Sequence, residues 1–232
     1  MFYQLEKNLQ DDLQYLVLEY EIKKNKDSFL RREVPVSECV PDLVTIRFDK
    51  RPNIKQWPSK WSAKFSFLLW LLRNSEKLNL DEIAKLYSSS SKRIEPIIHD
   101  LLRTEIIQES KGYYFLGPDY SEMKVEVVAF EAKLSRWREA LIQGIRYKKF
   151  ADKVIVAMDP DGLPKRKSSY NLFIENQIGL CEITQNRFKL LISPGINKNL
   201  NFENEYLITS ALIPNRNSYW FSMNAFTAAS HA

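Results

Sequence analysis

Three charged side chains on two apolar stretches are candidates for metal-dependent chemistry. Glu131 and Lys133 end the apolar run that begins at Val125, and residues two apart on a strand project from the same face. Asp42 directly follows Pro41 at the start of a second apolar run. Carboxylate oxygens are the ligands that Mg²⁺ prefers, so Asp42 and Glu131 together predict a metal site with one ammonium beside it.

A further pair completes a recognisable order of motifs. Gln143 and Tyr147 lie four apart on a segment with helical spacing, so they share a helix face. Asp42, then Glu131-x-Lys133, then Gln143-x-x-x-Tyr147 resembles the PD-(D/E)XK nuclease superfamily, whose fold is also called restriction-endonuclease-like. The resemblance implies an α/β fold with a mixed sheet flanked by helices.

The same resemblance implies an activity and a cofactor. The activity is phosphodiester hydrolysis, with Mg²⁺ (or Mn²⁺) held by Asp42 and Glu131. Lys133 is expected to orient the attacking water or to stabilise charge on the phosphate, and Gln143 and Tyr147 are expected to lean towards the metal site. Many members of the superfamily also use an acid from the first helix. Glu19 is the predicted residue here; Glu6 and Glu21 remain rivals because a helical wheel alone cannot choose between them.

The elements around these residues alternate in an α/β order. An amphipathic pattern predicts a helix over 4–22, and apolar runs predict strands over 28–38 and 40–48. A strand over 124–134, a helix over 135–150 and a strand over 153–158 imply a right-handed parallel crossover. Downstream, the patterns predict a helix over 170–177 and strands over 178–183 and 187–192, with weak signals beyond Pro194.

An inserted module separates the two halves of this scheme. Three helical patterns and a hairpin around a Lys-Gly turn resemble a winged helix-turn-helix domain. The predicted boundaries are 1–50 for the first part of the nuclease-like core, 51–118 for the insert with its linker, 119–200 for the second part of the core, and 201–232 for a C-terminal extension. Lys92 and Arg93, at the start of the predicted recognition helix, are expected to contact DNA.

The predicted helix after Lys133 is the most basic stretch of the chain. Arg136, Arg146 and Lys149 belong to it, and cations of this kind suit contacts to phosphates without reading the base sequence. The net charge of +5 and the pI near 9.0 are compatible with a polyanionic partner but do not require one.

Composition excludes several other classes. The 232 residues are 44% hydrophobic and 27% charged, which is ordinary for a globular chain. The two cysteines show no CxxC spacing, and two histidines are too few for most zinc hydrolases and catalytic triads. No stretch approaches the roughly 18 apolar residues of a membrane span, and the N-terminus does not resemble a secretory signal, so a cytoplasmic location is expected.

The sequence therefore predicts a metal-dependent DNA endonuclease whose winged helix helps to bind double-stranded DNA. A protein partner subunit or a homodimer stays open, and RNA is not excluded as substrate. The alternative is a non-catalytic DNA-binding or assembly subunit that retains the nuclease scaffold. A third, weaker interpretation is a winged-helix transcription regulator whose α/β part binds an effector.

Overall fold

Helices and strands alternate along the chain in this computed structural model, which describes residues 3–23, 27–54, 57–58 and 61–213 and the backbone of 221–222. The helices are α1 (Glu6–Lys23), α2 (Ala63–Ser75), α3 (Leu80–Leu86), α4 (Ser91–Arg103), α5 (Pro118–Ser121), α6 (Trp137–Tyr147), α7 (Lys167–Glu175) and α8 (Phe202–Leu212). The strands are β1 (Asp27–Arg32), β2 (Leu43–Phe48), β3 (Leu78–Asn79), β4 (Ile107–Ser110), β5 (Tyr113–Leu116), β6 (Val125–Lys133), β7 (Lys153–Met158), β8 (Gly179–Thr184), β9 (Arg187–Ile192) and β10 (Phe221–Ser222).

The main sheet is mixed, with strand order β10-β1-β2-β6-β7-β8-β9. The pairs β1·β2 and β2·β6 are antiparallel, β6·β7 and β7·β8 are parallel, and β9 returns antiparallel to β8. The predicted parallel pairing of β6 with β7 through α6 is confirmed, and so is the α/β class with a mixed sheet flanked by helices.

Both faces of β6 are buried, which explains its nearly unbroken apolar sequence. Val127 and Ala129 pack in the cluster that includes side chains of α6 and α8. Val128 and Phe130 face the other way, in a cluster with Leu9 and other apolar residues of α1. The strand between these two layers is therefore held rigidly, and it carries Glu131 and Lys133 at its end.

The chain between β2 and β6 contains its own helices and a small second sheet. It contains α2, α3 and α4 and a three-stranded antiparallel sheet of order β3-β5-β4. Asn79 caps α3, because its side chain accepts a hydrogen bond from the backbone N–H of Glu82 while the Glu82 carboxylate accepts from the N–H of Asn79. The predicted helices and the hairpin are present, and β3 is an additional strand.

Helix α8 is absent from the sequence-based prediction for 201–232. It packs on α2, and Leu207, Ile208 and Ala211 are buried in the core. The polar side chains of α8 are buried too: the amide of Asn204 donates to the carbonyl of Phe150 at 2.7 Å. Since polar residues share the buried face, the helix has no amphipathic pattern to detect. Positions 214–220 and 223–232 of the predicted extension lie outside the described residues.

No helix in the described part of the chain combines the length and the apolar character needed to cross a membrane.

Candidate functional site

Antiparallel pairing of β2 with β6 brings Asp42 beside Glu131. Leu43 pairs with Phe130, so Asp42, one residue before β2, lies beside the end of β6. There the backbone N–H of Ala132, 90 positions away in sequence, donates to Oδ2 of Asp42 at 2.7 Å. The two carboxylates that the sequence predicted to act together are thus neighbours.

Lys133 connects Glu131 to the first helix. Its Nζ lies 3.2 Å from Oε1 of Glu131 and 2.7 Å from Oε1 of Glu6. Burial acts to lower the pKa of Lys133, but the hydrogen bond from its ammonium to Glu6 and the negative charge of Glu131 outweigh burial and raise it. The ammonium therefore stays charged between two carboxylates.

Glu6, rather than the predicted Glu19, is the acid of α1 that contacts this cluster. Glu19 is near the other end of the helix, where it accepts a hydrogen bond from Tyr15 at 2.9 Å and pairs with Lys23 at 3.4 Å. Thirteen residues of helix separate Glu6 from Glu19, about 20 Å along the axis. Glu21 does not reach the cluster either, since it pairs with Arg47.

Of the two α6 residues in the predicted motif, Tyr147 reaches the cluster. Its hydroxyl donates to Oε2 of Glu131 at 2.5 Å. Gln143, one turn earlier, makes no hydrogen bond to the cluster among the described residues, and its amide oxygen is buried without a donor. Tyr147 thus orients the carboxylate of Glu131, whereas the structure leaves Gln143 without a partner there.

Gln10 joins the cluster although the sequence analysis did not select it. Its amide nitrogen donates to Oδ1 of Asp42 at 2.7 Å, and its amide oxygen accepts from Arg32 at 3.3 Å. The sequence does contain one indication of this role: Gln10 lies four residues after Glu6, so both side chains share one face of α1. Gln10 holds one oxygen of Asp42 and Ala132 holds the other.

Burial and nearby negative charges make these carboxylates harder to ionise. Burial, reinforced by the charge of Asp42, raises the pKa of Glu131 from its ordinary value of 4.5 to about 7, and the hydroxyl of Tyr147 and the ammonium of Lys133 only partly oppose this. Burial also raises the pKa of Asp42. Two buried carboxylates with raised pKa values are a favourable environment for a cation, because a positive charge favours their ionised forms.

The charges and the oxygen donors fit one divalent ion. Asp42, Glu131 and Glu6 carry three negative charges when ionised and Lys133 carries one positive charge, which leaves two negative charges. Mg²⁺ is usually held by one or two protein carboxylates, with water and phosphate oxygens as the remaining ligands. Within the described residues, no group of three or more His, Cys, Asp and Glu is arranged to hold a metal ion.

The predicted DNA-binding residues are exposed but do not form one cluster. Arg146 and Lys149 lie near the C-terminal end of α6, where their charges act on the thiol of Cys39. Arg136 precedes α6 in a left-handed conformation, with φ of 54°, and pairs with Glu139 at 3.1 Å. Lys92 and Arg93 belong to a different element, because they occupy the first turn of α4 in the insert.

A pH dependence of stability follows from Glu131 in the metal-free protein. Because its pKa is raised in the folded state, folding is most favoured when Glu131 is protonated, and this contribution disappears as the pH rises from about 4.5 to about 7. The Glu131→Gln variant is expected to lose this part of the pH dependence, which is about 3 kcal/mol in the free energy of unfolding. Urea unfolding of both proteins at pH 4.5 and pH 7.5 measures this difference. An equal change in the free energy of unfolding between the two pH values for both proteins would contradict the prediction.

Comparisons with known proteins do not assign this chain to a family. No protein-family model and no curated protein matches the chain. One similar solved structure is a protein of unknown function from Silicibacter pomeroyi, with 17% identity and a TM-score of 0.28, and the alignment covers 45% of this chain and 67% of that chain. A likeness at this score carries no argument about fold or activity.

Proposed function

We propose that this chain is a metal-dependent nuclease of the PD-(D/E)XK type that hydrolyses phosphodiester bonds in duplex DNA. The observation that carries the proposal is the meeting of Asp42, Glu131 and Lys133 at one end of the sheet, with Glu6 of α1 on the far side of the ammonium. These residues come from three distant segments, so their spacing in sequence alone does not explain their contact.

The arrangement of elements around the cluster supports the same proposal. The order of helix, strand and strand, then strand, helix and strand, agrees with the mixed sheet that the resemblance implies. The insert between β2 and β6 leaves the pairing of these strands unbroken from Leu43·Phe130 to Phe48·Val125. Loop-closure cost rises slowly with length, so a long insertion at this turn is compatible with an intact core.

Each residue of the cluster has a distinct role in the proposed reaction. Asp42 and Glu131 would hold Mg²⁺ or Mn²⁺, which when bound supplies charge neutralisation at the phosphate and a more acidic water. Lys133, held between Glu131 and Glu6, presents its ammonium to the phosphate or to the attacking water. Gln10 and Tyr147 keep the two carboxylates oriented through hydrogen bonds of 2.7 Å and 2.5 Å.

We further propose that the insert is a winged helix that binds the same duplex. The supporting observation is the set of three helices with a three-stranded sheet, with Lys92 and Arg93 exposed in the first turn of α4. The insert is attached after Phe48 and before Val125, the ends of β2 and β6 away from Asp42 and Glu131. Six residues of strand span about 20 Å, so the insert is anchored roughly six base pairs from the cluster.

The proposal is tested by incubating supercoiled plasmid with the protein and Mg²⁺ or Mn²⁺. Wild type is expected to nick or linearise the plasmid, and Glu131→Gln is expected to lose at least about a hundredfold in rate, because one of two metal ligands is removed. Glu139→Gln is the matched control, since Glu139 is exposed on α6. Equal rates for the two variants, or no cleavage of duplex DNA, single-stranded DNA or RNA by wild type, would reject the proposal.

A second candidate is a DNA-binding or assembly subunit that retains this scaffold without cleaving. The observation that favours it is that all four oxygens of Asp42 and Glu131 are already engaged by Gln10, Ala132, Lys133 and Tyr147. Such a protein would shift duplex DNA on a gel and leave it intact with either metal. Metal-dependent cleavage that Glu131→Gln abolishes would exclude this candidate.

A further inference from the structure

A cavity lies on the α1 side of the sheet, apart from the Asp42 cluster. Its volume is about 670 Å³, and it is lined by the C-terminal half of α1 and by β6, β7 and β9. Small-ligand sites commonly have volumes of about 300 to 1,000 Å³. None of the residues of the Asp42 cluster lines this cavity.

The inner surface of this cavity is apolar. Val128, Phe130 and Ile155 form its floor on β6 and β7, and Leu16 contributes from α1. Leu190 of β9 lines it as well and is 43% exposed, which is unusual for a leucine in a strand. Water that contacts this surface would be released by an apolar molecule, and such release favours binding.

Cations surround the opening. Lys23, Arg47, Lys153 and Arg187 line the cavity, while Glu19 is the one acid among its lining residues. Lys23 pairs with Glu19 at 3.4 Å, and this exposed pair leaves no net charge.

Two more of these cations are neutralised by carboxylates that do not line the cavity. Arg47 and Lys153 both contact Glu126, at 2.7 Å and 2.5 Å, and Arg47 also pairs with the buried Glu21. Arg187, at the start of β9, has no carboxylate partner in the described part of the chain. The cavity therefore combines an apolar interior with one uncompensated guanidinium at its edge.

We propose that this cavity binds a small amphipathic anion, with its apolar body between α1 and the sheet and its single anionic group paired with Arg187. The inference is independent of the proposed nuclease activity. A guanidinium binds carboxylates and phosphates with paired hydrogen bonds, so both anionic groups fit this position. A neutral ligand would leave the charge of Arg187 unpaired. A purely polar anion would leave the apolar floor in contact with water.

Two fluorescent probes that differ in charge test the proposal. The first, 8-anilinonaphthalene-1-sulfonate, has an aromatic body with one sulfonate, and the second, N-phenyl-1-naphthylamine, has the same body without the charge. The natively folded protein is expected to bind the sulfonate at least roughly tenfold more tightly than the neutral probe, because one charge-assisted hydrogen bond provides about this difference in affinity. Competition with dodecanoate and with dodecyl phosphate then shows which anionic group is preferred.

Two variants of neighbouring cations separate this site from general surface attraction. Arg187→Gln is expected to weaken binding of the sulfonate roughly tenfold and to leave binding of the neutral probe unchanged. Lys189→Gln removes one positive charge two residues further along β9, where the side chain does not line the cavity. This variant is expected to bind both probes as tightly as wild type does. Leu190→Asp, at a partly exposed wall position, is expected to abolish binding of both probes while the urea midpoint shows a folded protein.

Three results would overturn the proposal. The first is the absence of saturable binding of the sulfonate to folded protein, and the second is equal affinity for the charged and neutral probes. The third is an equal effect of Arg187→Gln and Lys189→Gln, because attraction to the net positive charge of the whole protein would then explain the binding. None of these results bears on DNA cleavage, so the two proposals fail separately.

Discussion

Replacement of Lys133 by Ala is expected to reduce the rate of plasmid cleavage by about a hundredfold to a thousandfold while DNA binding is retained. The ammonium lies between Glu131 and Glu6, at 3.2 Å and 2.7 Å, and is the one cation in contact with these carboxylates among the described residues. Removing one preorganised group that stabilises developing charge typically costs this much in rate. Single-turnover cleavage in Mg²⁺ measures the rate, and a gel shift in Ca²⁺ measures binding.

The control for this experiment is a lysine of the same sheet. Lys189→Ala changes an exposed side chain of β9 and is expected to cleave at the wild-type rate. Lys133→Arg keeps the charge but changes its shape, and it is expected to retain only part of the activity. Cleavage by Lys133→Ala at the wild-type rate would mean that Lys133 has only a structural role in the cluster. A lower urea midpoint without a lower rate would lead to the same conclusion.

The second large effect concerns stability. Arg73→Met is expected to lower the free energy of unfolding by about 3 to 5 kcal/mol, because it leaves Glu205 buried without its cation. Arg73 of α2 contacts both carboxylate oxygens of Glu205, at 2.8 Å and 3.3 Å, and Glu205 is 2% exposed. The hydroxyl of Tyr120 donates to the same carboxylate at 2.5 Å. Urea denaturation followed by tryptophan fluorescence measures the change.

Two further variants define the origin of this effect. Arg103→Met breaks an exposed pair with Asp100 on α4, at 3.6 Å, and is expected to cost less than about 1 kcal/mol. In the double variant Arg73→Met with Glu205→Leu, removal of both charges is expected to recover most of the loss. If the double variant is as unstable as Arg73→Met, the loss comes from packing and not from an unpaired carboxylate.

The position of this pair explains how the insert is attached. Arg73 is in α2 of the insert, Tyr120 is in α5 after it, and Glu205 is in α8 near the C-terminus. The side chain of Thr209 in α8 also hydrogen-bonds to Ser66 of α2 at 2.9 Å. Polar contacts at buried positions therefore join the insert to α8. We expect destabilising substitutions here to affect the proposed DNA binding by the insert more than the proposed chemistry at Lys133.

Much of the candidate site was predictable because the relevant patterns are local. Glu131 and Lys133 share a face through strand alternation, and Tyr147 is placed by the helix that follows that strand. The bounds predicted for β7, 153–158, agree with the structure, and the α/β class is confirmed. The predicted strand over 28–38 was too long, since β1 ends at Arg32 and Glu33 has a left-handed φ of 46°.

The tertiary structure decided which turn of each helix lies beside the sheet, and therefore which side chains are in contact. A helical wheel gives the face of α1 but not which turn lies beside Lys133, so the sequence could not select Glu6 over Glu19 or find Gln10. Helix α8 was not predicted because its buried face contains Asn204, Glu205 and Thr209, whose partners are distant in sequence. Local periodicity thus determined the elements and the types of their side chains. The docking of α1 and α8 on the sheet determined which charges meet.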